Sequence, residues 1–117
     1  MVDNTNTAEA LKSGTLPVFA TPSMIALIEE TALLSVADYL KDGEATVGTK
    51  LDVSHVAATP IGMKVTCETE LIEVDRRRLV FNAKVYDEVG LVGEGTHERF
   101  VIDSEKFLAK ANNKISK

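Results

Sequence analysis

Between Thr21 and about Leu40 the chain is apolar at most positions, with Met24, Ile25, Ala26, Leu27, Ile28, Ala32, Leu33, Leu34, Val36 and Ala37 leaving few polar places. Thr21-Pro22 opens this run with a preferred N-cap residue and then the residue that loses no bond at the first helical position. A helix is therefore expected from there to the Asp42-Gly43 turn. At about 100° per residue, one stripe carries Thr21, Ile25, Ile28, Ala32, Leu33, Val36 and Leu40; Glu29 falls inside it and Glu30 on another side. A helix apolar nearly all round is buried on most sides.

After Gly43 the period changes to two. Val47, Thr49, Leu51, Val53, His55 and Ala57 alternate with Gly48, Lys50, Asp52, Ser54, Val56 and Ala58, a long strand ending at Pro60-Ile61-Gly62. Met63, Val65, Cys67, Thr69 and Leu71 make a second strand against Lys64, Thr66, Glu68 and Glu70. Following a turn at Asp75 to Arg77, a third strand carries Leu79, Phe81, Ala83 and Val85. A turn around Glu88 to Gly90 leads to a fourth, Leu91 to Ile102, and Asp103 caps a short helix containing Phe107 and Leu108.

One apolar helix followed by four strands on short connections implies an α+β fold with an antiparallel sheet. The economical solution wraps that sheet around the helix and buries the helix's remaining apolar side against a second copy. This is the hotdog architecture, and it predicts a homodimer. Gly93 and Gly95 suit close backbone approaches in the last strand.

The length of 117 residues fits one domain spanning 1–117. A composition of 44% hydrophobic and 26% charged residues argues against disorder, and no stretch is long and apolar enough to cross a bilayer. Met1 to Asn6 carries no signal-peptide pattern, and the single cysteine, Cys67, fits a reducing compartment; a cytoplasmic location is expected. The net charge of −5 disfavours nucleic acid as a partner, and Arg76-Arg77-Arg78 reads as a solvated hairpin turn.

Three polar residues stand out. Glu29 sits in an apolar stripe, where a carboxylate needs a hydrogen bond, a proton or a wet cleft. His55 is in phase with Leu51 and Val53, as either a satisfied core histidine or a functional one. Thr21 as N-cap would bond the first turn. The start of a buried helix also offers unbonded N–H groups, here those of Ser23 and Met24, to a developing oxyanion. His97 and Arg99 share a face and read as a structural hydrogen-bond cluster. With no nucleophile elbow, phosphate loop, dinucleotide fingerprint or metal-ligand spacing, acid, base and hydroxyl chemistry without metal or intrinsic cofactor remains the main catalytic option.

Ala20-Thr21-Pro22, Ile28-Glu29-Glu30, Gly48-Thr49, Ser54-His55-Val56-Ala57-Ala58-Thr59-Pro60-Ile61-Gly62 and Gly93-Glu94-Gly95-Thr96-His97-Glu98-Arg99 occur here in order. Together they resemble the fluoroacetyl-CoA thioesterase group of hotdog proteins, from about Thr7 onward. The resemblance implies hydrolysis of a small acyl-CoA, with CoA as part of the substrate, by a catalytic set of Thr21, Glu29 and His55. It also implies that Gly48 lines the acyl pocket and that the active sites lie where two subunits meet. The chain departs from the family in leaving only Met1 to Asn6 for an initial strand. It also has no aromatic residue between Ala8 and Thr15 to form the lid associated with fluorinated acyl groups, which points to a general short-acyl preference.

Thr21 and Glu29 lie eight residues apart, about 12 Å along one helix, so a partner subunit or intervening substrate and water must complete the set. Two routes follow: His55 activates Thr21 to form an acyl-enzyme, or Glu29 polarises a water while Thr21 orients the substrate. The competing readings are a non-catalytic acyl-CoA binding protein and a hotdog dehydratase or isomerase. Lys50, Lys64 and Arg76 to Arg78 are candidate contacts for CoA phosphates.

Overall fold

The computed structural model describes residues 1–115, so the single-unit reading over 1–117 extends two residues beyond them. The elements in order are α1 (Thr21–Val36), a 3₁₀ turn (Ala37–Tyr39), β1 (Glu44–His55), β2 (Thr66–Asp75), β3 (Arg78–Tyr86), β4 (Leu91–Asp103) and α2 (Ser104–Asn112). All strand pairings are antiparallel, and the sheet order is β1-β4-β3-β2.

Met24, Ile28, Ala32 and Val36, four residues apart, form the fully buried edge of α1. They pack on Phe81, Ala83 and Val85 of β3 and on Val92 of β4, with Phe19 and Val2 closing one end. The observed stripe keeps Ile28, Ala32 and Val36 of the expected one and differs at its margins. Met24 takes the deepest place, Ile25 is half-buried, and Leu33 and Leu34 are exposed. Periodicity places the centre of the buried side and leaves its margins open, because α1 also carries apolar residues on its flanks. The exposed side is the surface that the expected second copy would cover.

Gly93 of β4 lies directly under the Met24 thioether, and at Gly95 an added Cβ would strike the Asp52 backbone. Both close approaches agree with the sequence reading. The β2–β3 hairpin turns at Arg76, whose φ is +59°; Arg78 joins Glu73 and Glu98 at 2.8 Å each. Asp103 caps α2 as expected, accepting from the Lys106 amide at 3.0 Å.

Two strands are shorter than their alternation suggested. β2 begins at Thr66, not Met63, because the Met63 carbonyl is taken by the Val2 amide and β3 ends opposite Thr66 at Tyr86. β1 stops at His55, where the amides of Val56 and Ala57 both turn onto the Val92 carbonyl. The chain then crosses to the segment before α1: Phe19 N donates to Thr59 O at 2.8 Å, and Val18 bridges Pro60. Thr59 is itself fixed, fully buried and donating to Asp87 at 2.9 Å. This crossing brings the end of β1 against the start of α1.

Candidate active site

α1 starts one residue earlier than the sequence suggested. Ala20 is the N-cap (φ −77°, ψ 142°), which moves Thr21 to the first helical position and Pro22 to the second. The Thr21 hydroxyl is therefore not spent on a cap. It lies 2.8 Å from His55 Nδ1, across the junction held by Phe19 and Thr59.

If the hydroxyl donates, Nδ1 carries the lone pair and Nε2 the ring proton. Phe19 meets the imidazole edge-on at 6.4 Å. His55 Nε2 is buried and has no hydrogen-bond partner among the described residues. Burial pushes the imidazole below the usual histidine value of 6.5, and the Ala57 backbone only partly offsets this. The pair opens on a cleft of about 320 Å³ walled by Ala8, Ser13, Val18, Phe19 and Val56 to Ala58. From the segment 8–15 the wall takes only two small side chains, Ala8 and Ser13.

In the first turn, Pro22 has no N–H and the Met24 amide is already bonded to Ala20 O at 3.0 Å. The expected donor pair of Ser23 and Met24 thus becomes Thr21 and Ser23, the two first-turn N–H groups with no helical acceptor. Met24 acts as core, with its side chain fully buried.

Glu29 does not join Thr21 and His55 within the chain. Its carboxylate lies further along α1, 3.8 Å from Arg99 Nη1, with 41% of the side chain exposed. It faces Gly48, where an added Cβ would lie 2.7 Å from Glu29 Oε2. Gly48 pairs with Arg99 just before a bulge that shifts the β1–β4 register. Arg99 donates through Nε to Thr46 Oγ1 at 2.9 Å, through Nη2 to Thr46 O at 2.8 Å and through Nη1 to His97 Nε2 at 3.2 Å. The expected cluster of His97 and Arg99 is present, and it also reaches Glu29, a contact the sequence does not show. The available signal was phase: residues 97 and 99 of β4 point to the same side as the apolar residues facing α1.

One chain thus presents two polar pairs, a hydroxyl–imidazole pair at the start of α1 and a carboxylate–guanidinium pair about two turns on. Among the described residues no three His, Cys, Asp or Glu side chains cluster as a metal site.

A four-stranded antiparallel sheet cradling one long helix, with polar groups at that helix's start, defines the hotdog class. Solved structures below 25% identity share the fold, among them a Thermus thermophilus protein described as a thioesterase superfamily member (24% identical, TM-score 0.91, covering 99% of this chain and 86% of that one). The model of the fluoroacetyl-CoA-specific thioesterase family matches residues 2–105, and the chain belongs to that family. The fluoroacetyl-CoA thioesterase of Streptantibioticus cattleyicolor is 46% identical over 97 residues, 83% of this chain and 70% of that protein. A crystal structure of the fluoroacetyl-CoA thioesterase superposes with TM-score 0.91 at 41% identity, covering 97% of this chain and 88% of that one. A mutant form in complex with fluoroacetate and CoA gives 0.92 at 40%, covering 97% and 93%.

Proposed function

We propose that this chain hydrolyses a short acyl-CoA thioester to the free acid and CoA, with Thr21 as nucleophile and His55 as its base. The observation that carries this is the 2.8 Å contact between the Thr21 hydroxyl and His55 Nδ1 at the start of α1, beside an open cleft. Membership of a thioesterase family supports the reaction class. The small wall residues Ala8 and Ser13 support a general short-acyl preference.

Thr21 Oγ1 attacks the thioester carbonyl carbon as its proton passes to His55 Nδ1. The carbonyl oxygen takes up negative charge beside the free N–H groups of Thr21 and Ser23 at the positive end of α1. Collapse breaks the C–S bond, and the CoA sulfur leaves with the proton from Nδ1. An acyl ester of Thr21 remains. Water attacks this ester, gives its proton to Nδ1, and the Thr21 oxygen recovers that proton as the acid departs. A base must be neutral to begin, and burial of His55 favours the neutral ring.

In this reading Glu29 orients the hydrolytic water or substrate from a second copy, with Gly48 lining the acyl pocket. The chain acts as a homodimer whose facing surfaces include the exposed apolar side of α1, where Leu33 and Leu34 are 38% and 62% exposed. The dimer would bring the carboxylate of one copy opposite the hydroxyl–imidazole pair of the other. The acyl-CoA and one water supply the reacting groups beyond these, and the cytoplasm is the expected setting.

The test is release of free thiol from a panel of acyl-CoAs, combined with rapid-quench mass spectrometry. An acyl mass on Thr21 in wild type, absent in Thr21→Ala, supports the covalent route. Single-turnover hydrolysis without that adduct favours water activated by Glu29. Binding of acyl-CoA without any thiol release would make the protein a binding module.

A further inference from the structure

His97 has no part in the chemistry above, yet its side chain is fully buried, on the carboxylate half of the site. Its ring stacks on Phe81 with centroids 6.3 Å apart and planes 28° from parallel, so the imidazole has little freedom to tilt. Nδ1 lies 2.9 Å from the Lys50 carbonyl, which can only accept; Nδ1 therefore carries the proton. Nε2 is left with a lone pair, and Arg99 Nη1 donates to it at 3.2 Å.

Arg99 is 5% exposed, and its guanidinium cannot shed its charge. Thr46 holds Nε and Nη2, and His97 holds Nη1. Three acceptors fix the plane of the fork. Nη1, the nitrogen His97 holds, is also the one 3.8 Å from Glu29 Oε2. Thr46 alone would leave that end of the fork free to swing toward another acceptor. The bulge between Gly48 and Lys50 sits between the two β1 residues that make these contacts, and Gly48 leaves the carboxylate its space.

We propose that His97 is a positioning residue for hydrolysis: held by the Lys50 carbonyl as its Nδ1–H tautomer, it aims Arg99 Nη1 at Glu29 and so sets where the Glu29 carboxylate stands. This rests on the assignment of Glu29 to the reaction made above. Phenylalanine, an aromatic ring somewhat larger than imidazole and without the acceptor, keeps the contact with Phe81 but releases Arg99.

The experiment is a double-mutant cycle on the full chain with His97→Phe and Glu29→Gln, read as kcat and KM for acyl-CoA hydrolysis. His97→Phe is expected to lower kcat by roughly tenfold or more, the scale of a sub-ångström misplacement, with KM changed by less than about threefold. In the Glu29→Gln background the same substitution is expected to cost almost nothing. His97→Gln, whose amide oxygen can accept from Arg99, should recover part of the rate. Equal losses in both backgrounds, or no loss in wild type, overturn the proposal. If His97→Phe does not fold, ¹⁵N-histidine spectra of the wild-type protein decide: the Nδ1–H tautomer is expected at His97, and Nε2–H overturns it. A Glu29→Gln enzyme with wild-type kcat would instead remove Glu29 from the reaction, which is a separate failure from either of these.

Discussion

A methyl group added at Gly48 tests the Glu29 half-site without touching a polar group. The new Cβ would lie 2.7 Å from Glu29 Oε2, 3.3 Å from His97 Cε1 and 3.5 Å from Arg99 Nη1. Ordinary non-bonded contacts are about 3.5 Å, so the carboxylate must retreat by about 0.8 Å while the ring and guanidinium barely move. Gly48 is not among the positive-φ glycines, so alanine meets no backbone strain there. Alanine in a strand gains roughly 0.5–1 kcal/mol over glycine, enough to offset the tight ring contact, and the Tm of Gly48→Ala should change by only a few degrees. Activity should respond differently. Misplacing a reacting group by about 1 Å costs on the order of 100-fold, so kcat/KM for thiol release should fall by roughly 10- to 100-fold. Thermal melting and initial-rate kinetics on one preparation suffice. Wild-type kcat/KM in a folded Gly48→Ala would refute the placement of Glu29 in the reaction. A collapse of Tm would show instead that Gly48 serves the fold.

The pH dependence should follow His55, whose folded-state pKa is pushed below the usual 6.5 by burial. kcat/KM should rise with pH through that lowered value and be level by pH 7; an acid limb centred above 6.5 would contradict His55 as the base. Between the folded value and about 6.5 the unfolded chain binds the proton more readily, so the stability contributed by neutral His55 is complete above about 6.5 and lost as pH falls; Tm against pH should decline there and lose that component in His55→Ala. Gly93→Ala forces Met24 out of its seat and should cost about 1–3 kcal/mol, seen as a Tm lower by on the order of 5–10 °C; an unchanged Tm would mean the β4–α1 approach is looser than it looks. Leu34→Glu on the exposed side of α1 should give monomers by sedimentation and little hydrolysis, whereas an active monomer would refute a shared site.

The order and type of the elements were legible in the chain alone, because period-two alternation survives in Leu79, Phe81, Ala83 and Val85 and the apolar run after Thr21 suits a largely buried helix. The sequence also carried the ordered motifs that mark the family, and with them the candidate site residues Thr21, Glu29, His55 and Gly48. It left open the margins of the side of α1 that faces the sheet: Ile28, Ala32 and Val36 are in the expected stripe, but Met24 is buried beside them and Leu33 is exposed, since apolar flanks blur the phase. Where strands end was likewise a tertiary decision: β1 stops at His55 because Val92 captures the next amides, and β2 starts late because Val2 takes the Met63 carbonyl. Backbone hydrogen bonds from Phe19 N to Thr59 O and from Ala20 N to Asn6 O tie down the segment before α1, whose cap falls at Ala20 and leaves the Thr21 hydroxyl for His55. Glu29 met Arg99 only because antiparallel pairing sets Gly48 opposite Arg99, 51 positions later in the chain. Local pattern records which residues prefer to be buried or bonded; which partner each one finds depends on contacts between segments far apart in sequence, and those exist only once the sheet has closed over the helix.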